Sequence, residues 1–313
     1  MNAPAVSVVM PFLNGERFMG EAIESVLSQS WRDLELILVD DGSTDASRPI
    51  AEHHAAVDLR VRVVAHPGDV NRGVAASRNV GVAVARAPRI AFIDADDRWS
   101  PDKLAQQQAI MDQHPDVSLL AGATRYWHSW EGGSDQLELV GTVRDRVVHP
   151  PQALLSTYPM ANAEAPAPSS FMVTAEALAR VGGFEESFVG RYGFYEDQAF
   201  LAKVYLGERV FFSSCCWFDY RQHQASAMAS GLRRGDYIAV RAHFLDWFEE
   251  YLAMRPPVDP RIARRIRLVR AKLMLSRLKQ GLSTAFRRSR PGRGRPDHRE
   301  PPASTGEPPQ DAV

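Results

Sequence analysis

The chain has 313 residues, 45% hydrophobic and 24% charged, with a formal net charge of −1. These values fit one large α/β domain with an appendage. They leave no room for a membrane-spanning helix, because no segment approaches roughly 18 consecutive apolar residues. The two cysteines, Cys215 and Cys216, are adjacent, so they supply neither a disulfide framework nor a CxxC metal site. They read as reduced thiols on a buried strand.

Val6–Met10 reads as a first strand. It is too short for a secretory signal and lacks a cationic flank, so a cytoplasmic location is expected. Phe18, Met19, Ala22, Ile23, Val26 and Leu27 recur with helical spacing, which predicts a helix over Glu16–Gln29. Leu34–Val39, Val61–Ala65 and Ile90–Ile93 read as further strands, with a helix face marked by Ala76, Val80, Ala83 and Val84 before the last. Such alternation builds a mostly parallel sheet with right-handed crossovers, and residues 1–100 read as a nucleotide-binding half. From Pro101 the pattern is mixed, and residues 101–230 read as an acceptor half. It contains a helix near Pro101–Gln113 and short strands at Val117–Ala121, Thr124–Trp130 and Leu137–Val140. A Pro/Ala-rich mobile loop is expected at Tyr158–Pro168. A strand at Ser169–Val173, helices at Ala175–Arg180 and Glu196–Leu206, and a late strand at Trp217–Arg221 follow.

Two acidic segments stand out, ILVDDGSTD (Ile37–Asp45) and IAFIDADD (Ile90–Asp97). Each ends a strand-like run, which places carboxylates at strand carboxyl ends, where open α/β sheets collect ligands. Asp40 and Asp45 alone read as turn formers and helix caps. Asp94, Asp96 and Asp97 exceed what a turn requires. On an extended strand end Asp94 and Asp96 would point to the same side. Their repulsion would be relieved by a hard divalent cation carrying a diphosphate.

The chain resembles the family 2 glycosyltransferases, inverting nucleotide-sugar transferases of the GT-A fold. The resemblance rests on VSVVMPFLNGERF (Val6–Phe18), ESVLSQSW (Glu24–Trp31), ILVDDGSTD, NRGVAASRNVG (Asn71–Gly81) and IAFIDADDRWSP (Ile90–Pro101). VGGFEESF (Val181–Phe188), YEDQAFL (Tyr195–Leu201) and YRQH (Tyr220–His223) continue it. These segments fall in the family's order over roughly the first 230 residues. The resemblance implies a Rossmann-like, mostly parallel central sheet flanked by helices, with residues 1–230 as the catalytic domain. It also implies that a sugar moves from a nucleoside-diphosphate sugar to a hydroxyl of a glycan or lipid-linked acceptor, with Mn2+ or Mg2+ as cofactor. A nucleic-acid partner is not expected.

By the same resemblance Asp41 hydrogen-bonds the nucleotide base, and Pro11, Leu13 and Asn14 form another wall of that pocket. An aromatic residue is common in the family where this chain has Leu13. Arg72 and Gly73 precede a helix amino terminus and suit an anion. Asp94 would face ribose and metal, Asp96 and His223 would ligate the metal, and Asp97 would lie behind the ligands or contact the sugar. Arg78 and Asn79 read as packing or bonding locally. The second residue of the Glu196–Asp197 pair resembles the family's general base, and an adjacent carboxylate would raise its pKa. Trp99 either stacks on acceptor or packs beneath the site, and Glu196 is a second acceptor-side candidate.

Two rival readings use the same features. A sugar nucleotidyltransferase would resemble its relatives in a Gly-rich, basic phosphate loop after the first strand, which PFLNGERF lacks. A catalytically silent sugar- or nucleotide-binding protein would not need both acidic clusters and the acidic pair.

Residues 231–286 read as a basic helical extension and 287–313 as a disordered tail. Arg261–Arg290 holds eleven Lys/Arg and no Asp or Glu, with an apolar stripe at Ile262, Ile266, Val269, Leu273 and Leu282. Such a helix either lies on an anionic membrane at its cytoplasmic face or packs back on the catalytic domain.

Overall fold

A computed structural model describes residues 3–224, 226 and 235–288. The expected tail from residue 289 and the side chain of Leu282 lie outside the described residues. The chain divides into two compact units, Met1–Leu273 and Met274–Val313. Every feature of the site lies in the first.

In chain order the elements are β1 (Val6–Phe12), α1 (Met19–Leu27), β2 (Leu34–Asp40), α2 (Ser47–Val57), β3 (Val61–Ala65), α3 (Val74–Val84), β4 (Arg89–Phe92) and β5 (Arg98–Trp99). There follow α4 (Lys103–Gln113), β6 (Leu119–Trp127), β7 (Gln136–Glu138), β8 (Arg146–Val148), α5 (Gln152–Ser156), β9 (Met172–Thr174) and α6 (Ala175–Val181). The last are α7 (Glu196–Gly207), β10 (Val210–Arg221), α8 (Tyr237–Ala253) and α9 (Pro260–Arg288), which continues into the second unit.

The strands form one sheet in the order β3-β2-β1-β4-β9-β6-β10-β5, with β7 on β6 and β8 on β10. β1 runs parallel to β2, from Val6↔Leu34 to Phe12↔Asp40, and parallel to β4, from Val6↔Arg89 to Val9↔Phe92. Every residue of β1 and β2 is buried, as expected of parallel strands covered on both faces. Their side chains alternate between two cores. Val9, Ile37, Val39 and Phe92 face one, and Val8, Met10, Leu36 and Leu38 face the other. The sheet changes character at β9, which is antiparallel to both β4 and β6.

Two local expectations change, and one helix is unexpected. Val117–Ala121 and Thr124–Trp130 fall largely on a single strand, β6. Gly122 within it permits close contact: a Cβ there would lie 2.5 Å from the carbonyl oxygen of Cys215. Helix α2 has only Ser47 and Ala51 buried, so hydrophobic spacing gives it no signal. Cys215 and Cys216 do lie on a strand, but Cys215 is exposed and Cys216 partly so, because pairing with β6 shifts register on both sides of Cys216.

The apolar stripe of α9 packs back. Ile262, Ile266, Val269 and Leu273 join the core that holds Phe244, Phe248 and Leu252 of α8. Arg270 Nη2 reaches Asp246 Oδ1 at 2.7 Å and also contacts Glu249. These four side chains are therefore not available to a bilayer. No helix among the described residues is long and apolar enough to cross a membrane.

Candidate active site

The parallel pairing of β1 with β2 and β4 sets the loops that follow these strands side by side. The first two loops lock each other. Asn14, with a left-handed φ of 50°, accepts the Thr44 N–H through Oδ1 at 2.8 Å, and its own N–H donates to Ser43 Oγ at 3.1 Å. Asp40 Oδ1 accepts the Ser43 N–H at 2.8 Å, and Asp45 accepts the N–H groups of Ser47 and Glu16. Asp40 and Asp45 are turn formers, as expected. Asn14 serves the same purpose, and its side-chain oxygen binds Thr44.

Asp41 lies deeper and is buried. It accepts the N–H groups of Arg72 at 2.7 Å and Gly73 at 3.1 Å, at the start of α3, and His66 Nε2 lies 3.4 Å away. The adjacent Gly42 has φ +85°, and a Cβ there would meet the Asp69 carbonyl oxygen at 2.9 Å. The Arg72 side chain is exposed.

Beside Asp41 a cavity of about 360 Å³ opens, lined by Pro11, Leu13, Gly73, Phe188, Val189 and Phe194. Leu13 is 44% exposed. In the segment before α7 Phe188 is fully buried, and Phe194 is the partly exposed aromatic side chain of this lining. Sequence reasoning passed over both phenylalanines, although Phe188 closes the quoted segment VGGFEESF.

After β4 the chain does not stay extended. Asp97 N–H donates to the Asp94 carbonyl at 3.1 Å, closing a turn in which the three carboxylates take different partners. A turn thus replaces the expected extended strand end, and, besides burial, the Asp96 charge still acts to raise the Asp94 pKa. Asp94 Oδ1 takes a 2.5 Å bond from Arg78 Nη2. Asp96 Oδ2 lies 2.9 Å from His223 Nε2. Asp97 is fully buried, where it accepts Ser169 Oγ–H at 2.6 Å and the Arg221 N–H at 3.1 Å. Burial, then the charges of Asp96 and Asp94, push its carboxyl well above the ordinary range. Asp97 has no exposed surface and fixes the turn from behind. Arg221 also donates from Nε to the Asp96 carbonyl at 2.8 Å, and its guanidinium lies 4.3 Å from the centroid of the Trp127 ring. Trp99 is 3% exposed, donates from Nε1 to the Ser169 carbonyl and carries the Lys103 ammonium over its ring. It packs beneath the site and offers no stacking face to an acceptor.

Arg78 joins the two acidic groups. It is buried in α3, with Nη2 on Asp94 and Nη1 on Glu196 Oε1, which is 118 residues away. Asn79 also bonds at long range, exchanging hydrogen bonds with the backbone of Phe184. The expectation of local contacts for this pair is overturned because α3 lies under the segment leading to α7. Asp197 Oδ1 accepts the Gln198 N–H at 2.7 Å. Burial raises its pKa to about 6, although Arg78 and Gln198 oppose the rise. Burial therefore exceeds the adjacent-carboxylate effect as the main cause. Glu196 is likewise raised by burial against the pull of Arg78.

A family model described as Glycosyl transferase family 2 matches residues 7–186. The chain belongs to glycosyltransferase family 2. It is 42% identical over 114 residues to an uncharacterized glycosyltransferase of Haemophilus influenzae, covering 36% of this chain and 45% of the relative. It is 32% identical over 151 residues to the putative teichuronic acid biosynthesis glycosyltransferase TuaG of Bacillus subtilis, covering 48% and 55%. These matches span about half the length of each curated relative. Among solved structures, S. aureus TarS 1-349 in complex with UDP-GlcNAc aligns with a TM-score of 0.55 at 21% identity, over 72% of this chain and 60% of that one. Mannosyltransferase PcManGT from Pyrobaculum calidifontis, in complex with GDP-Man and Mn2+, aligns with a TM-score of 0.57 at 17% identity, over 87% and 70%. At these identities the likeness is one of fold, and this family 2 chain has the GT-A fold.

Proposed function

We propose that this protein moves a sugar from a nucleoside-diphosphate sugar to an acceptor hydroxyl with inversion, in the synthesis of a cell-surface polysaccharide. The observation that carries the reading is the Arg78 bridge. One guanidinium holds Asp94 on the donor side and Glu196, next to Asp197, on the other. The cavity beside Asp41 takes the nucleoside, among Pro11, Leu13, Gly73 and Phe194 of its lining. Arg72 lies at the α3 amino terminus, a setting suited to anions. The teichuronic acid name of TuaG and the nucleotide sugars named with the structural neighbours agree with this class of substrate.

Asp96 and His223 fit a divalent cation as an oxygen–nitrogen donor pair 2.9 Å apart. Among the described residues no cluster of three or more His, Cys, Asp or Glu could hold a metal. The fit is therefore to a cation such as Mg2+ that takes its remaining ligands from diphosphate and water. When bound, such a cation neutralises charge on the leaving diphosphate.

Asp197 performs the proton transfer. It is a carboxylate above a pH of about 6 and accepts the acceptor hydroxyl proton as that oxygen attacks the anomeric carbon opposite the leaving group. A single displacement inverts the configuration. Incubation with nucleotide sugars and Mn2+ tests the proposal: nucleoside diphosphate and an inverted product are expected. Release of pyrophosphate would indicate a nucleotidyltransferase, and binding without release a silent binder. Retention at the anomeric carbon would overturn the single displacement.

A further inference from the structure

A second cavity of about 420 Å³ lies where the carboxyl ends of α7 and α8 meet the start of α9. Its lining mixes apolar side chains, including Leu206, Leu252, Val258 and Ile262, with polar ones, and four charged groups besides Lys203 line it. Two of these are carboxylates already committed to cations. Glu208 takes two bonds from Arg180, at 2.8 and 2.9 Å, and a third from Ser118 Oγ. Asp259 is held by Arg261 at 2.7 Å. Arg255 and Lys203 make no ion pair among the described residues. Arg255 donates to the Tyr251 carbonyl at 3.3 Å and lies over the Tyr251 ring at 3.7 Å.

Lys203, on α7, is 5% exposed and, among the described residues, makes no hydrogen bond or ion pair. The only acid whose charge acts on it favourably is Glu185, and that effect is smaller than the desolvation that lowers its pKa. The side chain is buried and lines the cavity, and an ammonium desolvated in this way gains from pairing with an anion.

We infer that this cavity is a binding site for a phosphate-bearing ligand, with Lys203 and Arg255 receiving the phosphate and the apolar side chains of the lining covering the rest of the molecule. A point charge beside a planar fork of donors suits phosphate oxygens, and the volume fits a small organic molecule. The site is separate from the donor cavity, whose lining shares no residue with it. The phosphate has two possible sources, a soluble phosphomonoester or a lipid headgroup.

The test uses the full chain and three probes at constant ionic strength: inorganic phosphate, glucose 1-phosphate, and phosphatidylcholine vesicles with and without phosphatidic acid. Wild-type protein is compared with Lys203→Met and Arg255→Gln by thermal unfolding and by sedimentation with vesicles. Lys203→Met removes the unpaired charge, so its melting temperature without ligand should equal or exceed that of wild type. For the wild type, a soluble probe at about five times its Kd should raise the midpoint by roughly 2–4 °C, and each substitution should weaken that probe at least tenfold. Response to glucose 1-phosphate indicates a soluble ligand, and sedimentation dependent on phosphatidic acid and lost in both variants indicates a headgroup. Equal responses of all three proteins to every probe, or no response of the wild type to any, would overturn the assignment. Neither result depends on turnover, so failure here is distinct from failure of the proposed transferase activity.

Discussion

The turn after β2 and the turn after β4 look alike in sequence, each a strand-like run followed by crowded aspartates. In the first, Asp40 and Asp45 accept backbone N–H groups, from Ser43, Ser47 and, across to the first loop, Glu16. In the second, Asp94, Asp96 and Asp97 are met by Arg78, His223, Ser169 and the Arg221 backbone, 16 to 127 residues away. Carboxylates held by their own turn shape the backbone. Carboxylates held by side chains from distant elements gather a site, because each partner carries another segment to the same place. His223 brings the end of β10, and Arg78 brings α3 and, through Glu196, the start of α7.

The largest test of this contrast is Asp96→Ala. It should abolish metal-dependent donor binding and turnover while leaving the circular dichroism spectrum and the unfolding midpoint near wild type, because Asp96 is only partly buried. Near-normal turnover at limiting metal would remove Asp96 from the site.

Asp197→Asn should lower kcat by roughly 100-fold or more with donor affinity unchanged. The pH profile supplies a second reading. Burial raises the Asp197 pKa to about 6, and the base must be ionised. Turnover of the wild type should therefore fall as pH drops through about 6 and level off above it. The remaining activity of Asp197→Asn should lack that limb. An unchanged limb would assign it to another group.

Arg78→Met should strand Glu196 and Asp94 without their shared cation and cost about 3–5 kcal/mol in urea unfolding, the usual penalty for breaking a buried ion pair. Arg78→Met combined with Glu196→Gln should recover part of that loss. A cost for Arg78→Met no greater than an ordinary surface substitution would show that the bridge does not hold the two sides together.

The smallest effect is expected from Asp45→Ala, which removes turn and cap hydrogen bonds only. It should cost about 1 kcal/mol and leave kcat and donor affinity within about twofold. A large loss of donor affinity would erase the distinction between the two turns.

The parallel half of the sheet was legible from the residues alone, because fully buried strands such as VSVVMPF and LELILVD have few other ways to satisfy their backbone and side chains. The turn chemistry of Asp40 and Asp45 was legible too, because Ser43 and Ser47, which bond them, are near neighbours in the chain, although the Glu16 contact was not. The DADD run and the Glu196–Asp197 pair were visible as patterns, and matching segments in a fixed order were enough to point to the family. Tertiary structure decided the rest. In sequence, Arg78 is one more arginine on a helix, Phe188 and Phe194 are ordinary core candidates, Trp99 is open to two readings, and Lys203 is a lysine on a helix. Burial, pairing and pKa depend on which distant segments come to lie against a residue. The path of the chain through the sheet sets those neighbours, and local spacing does not encode it.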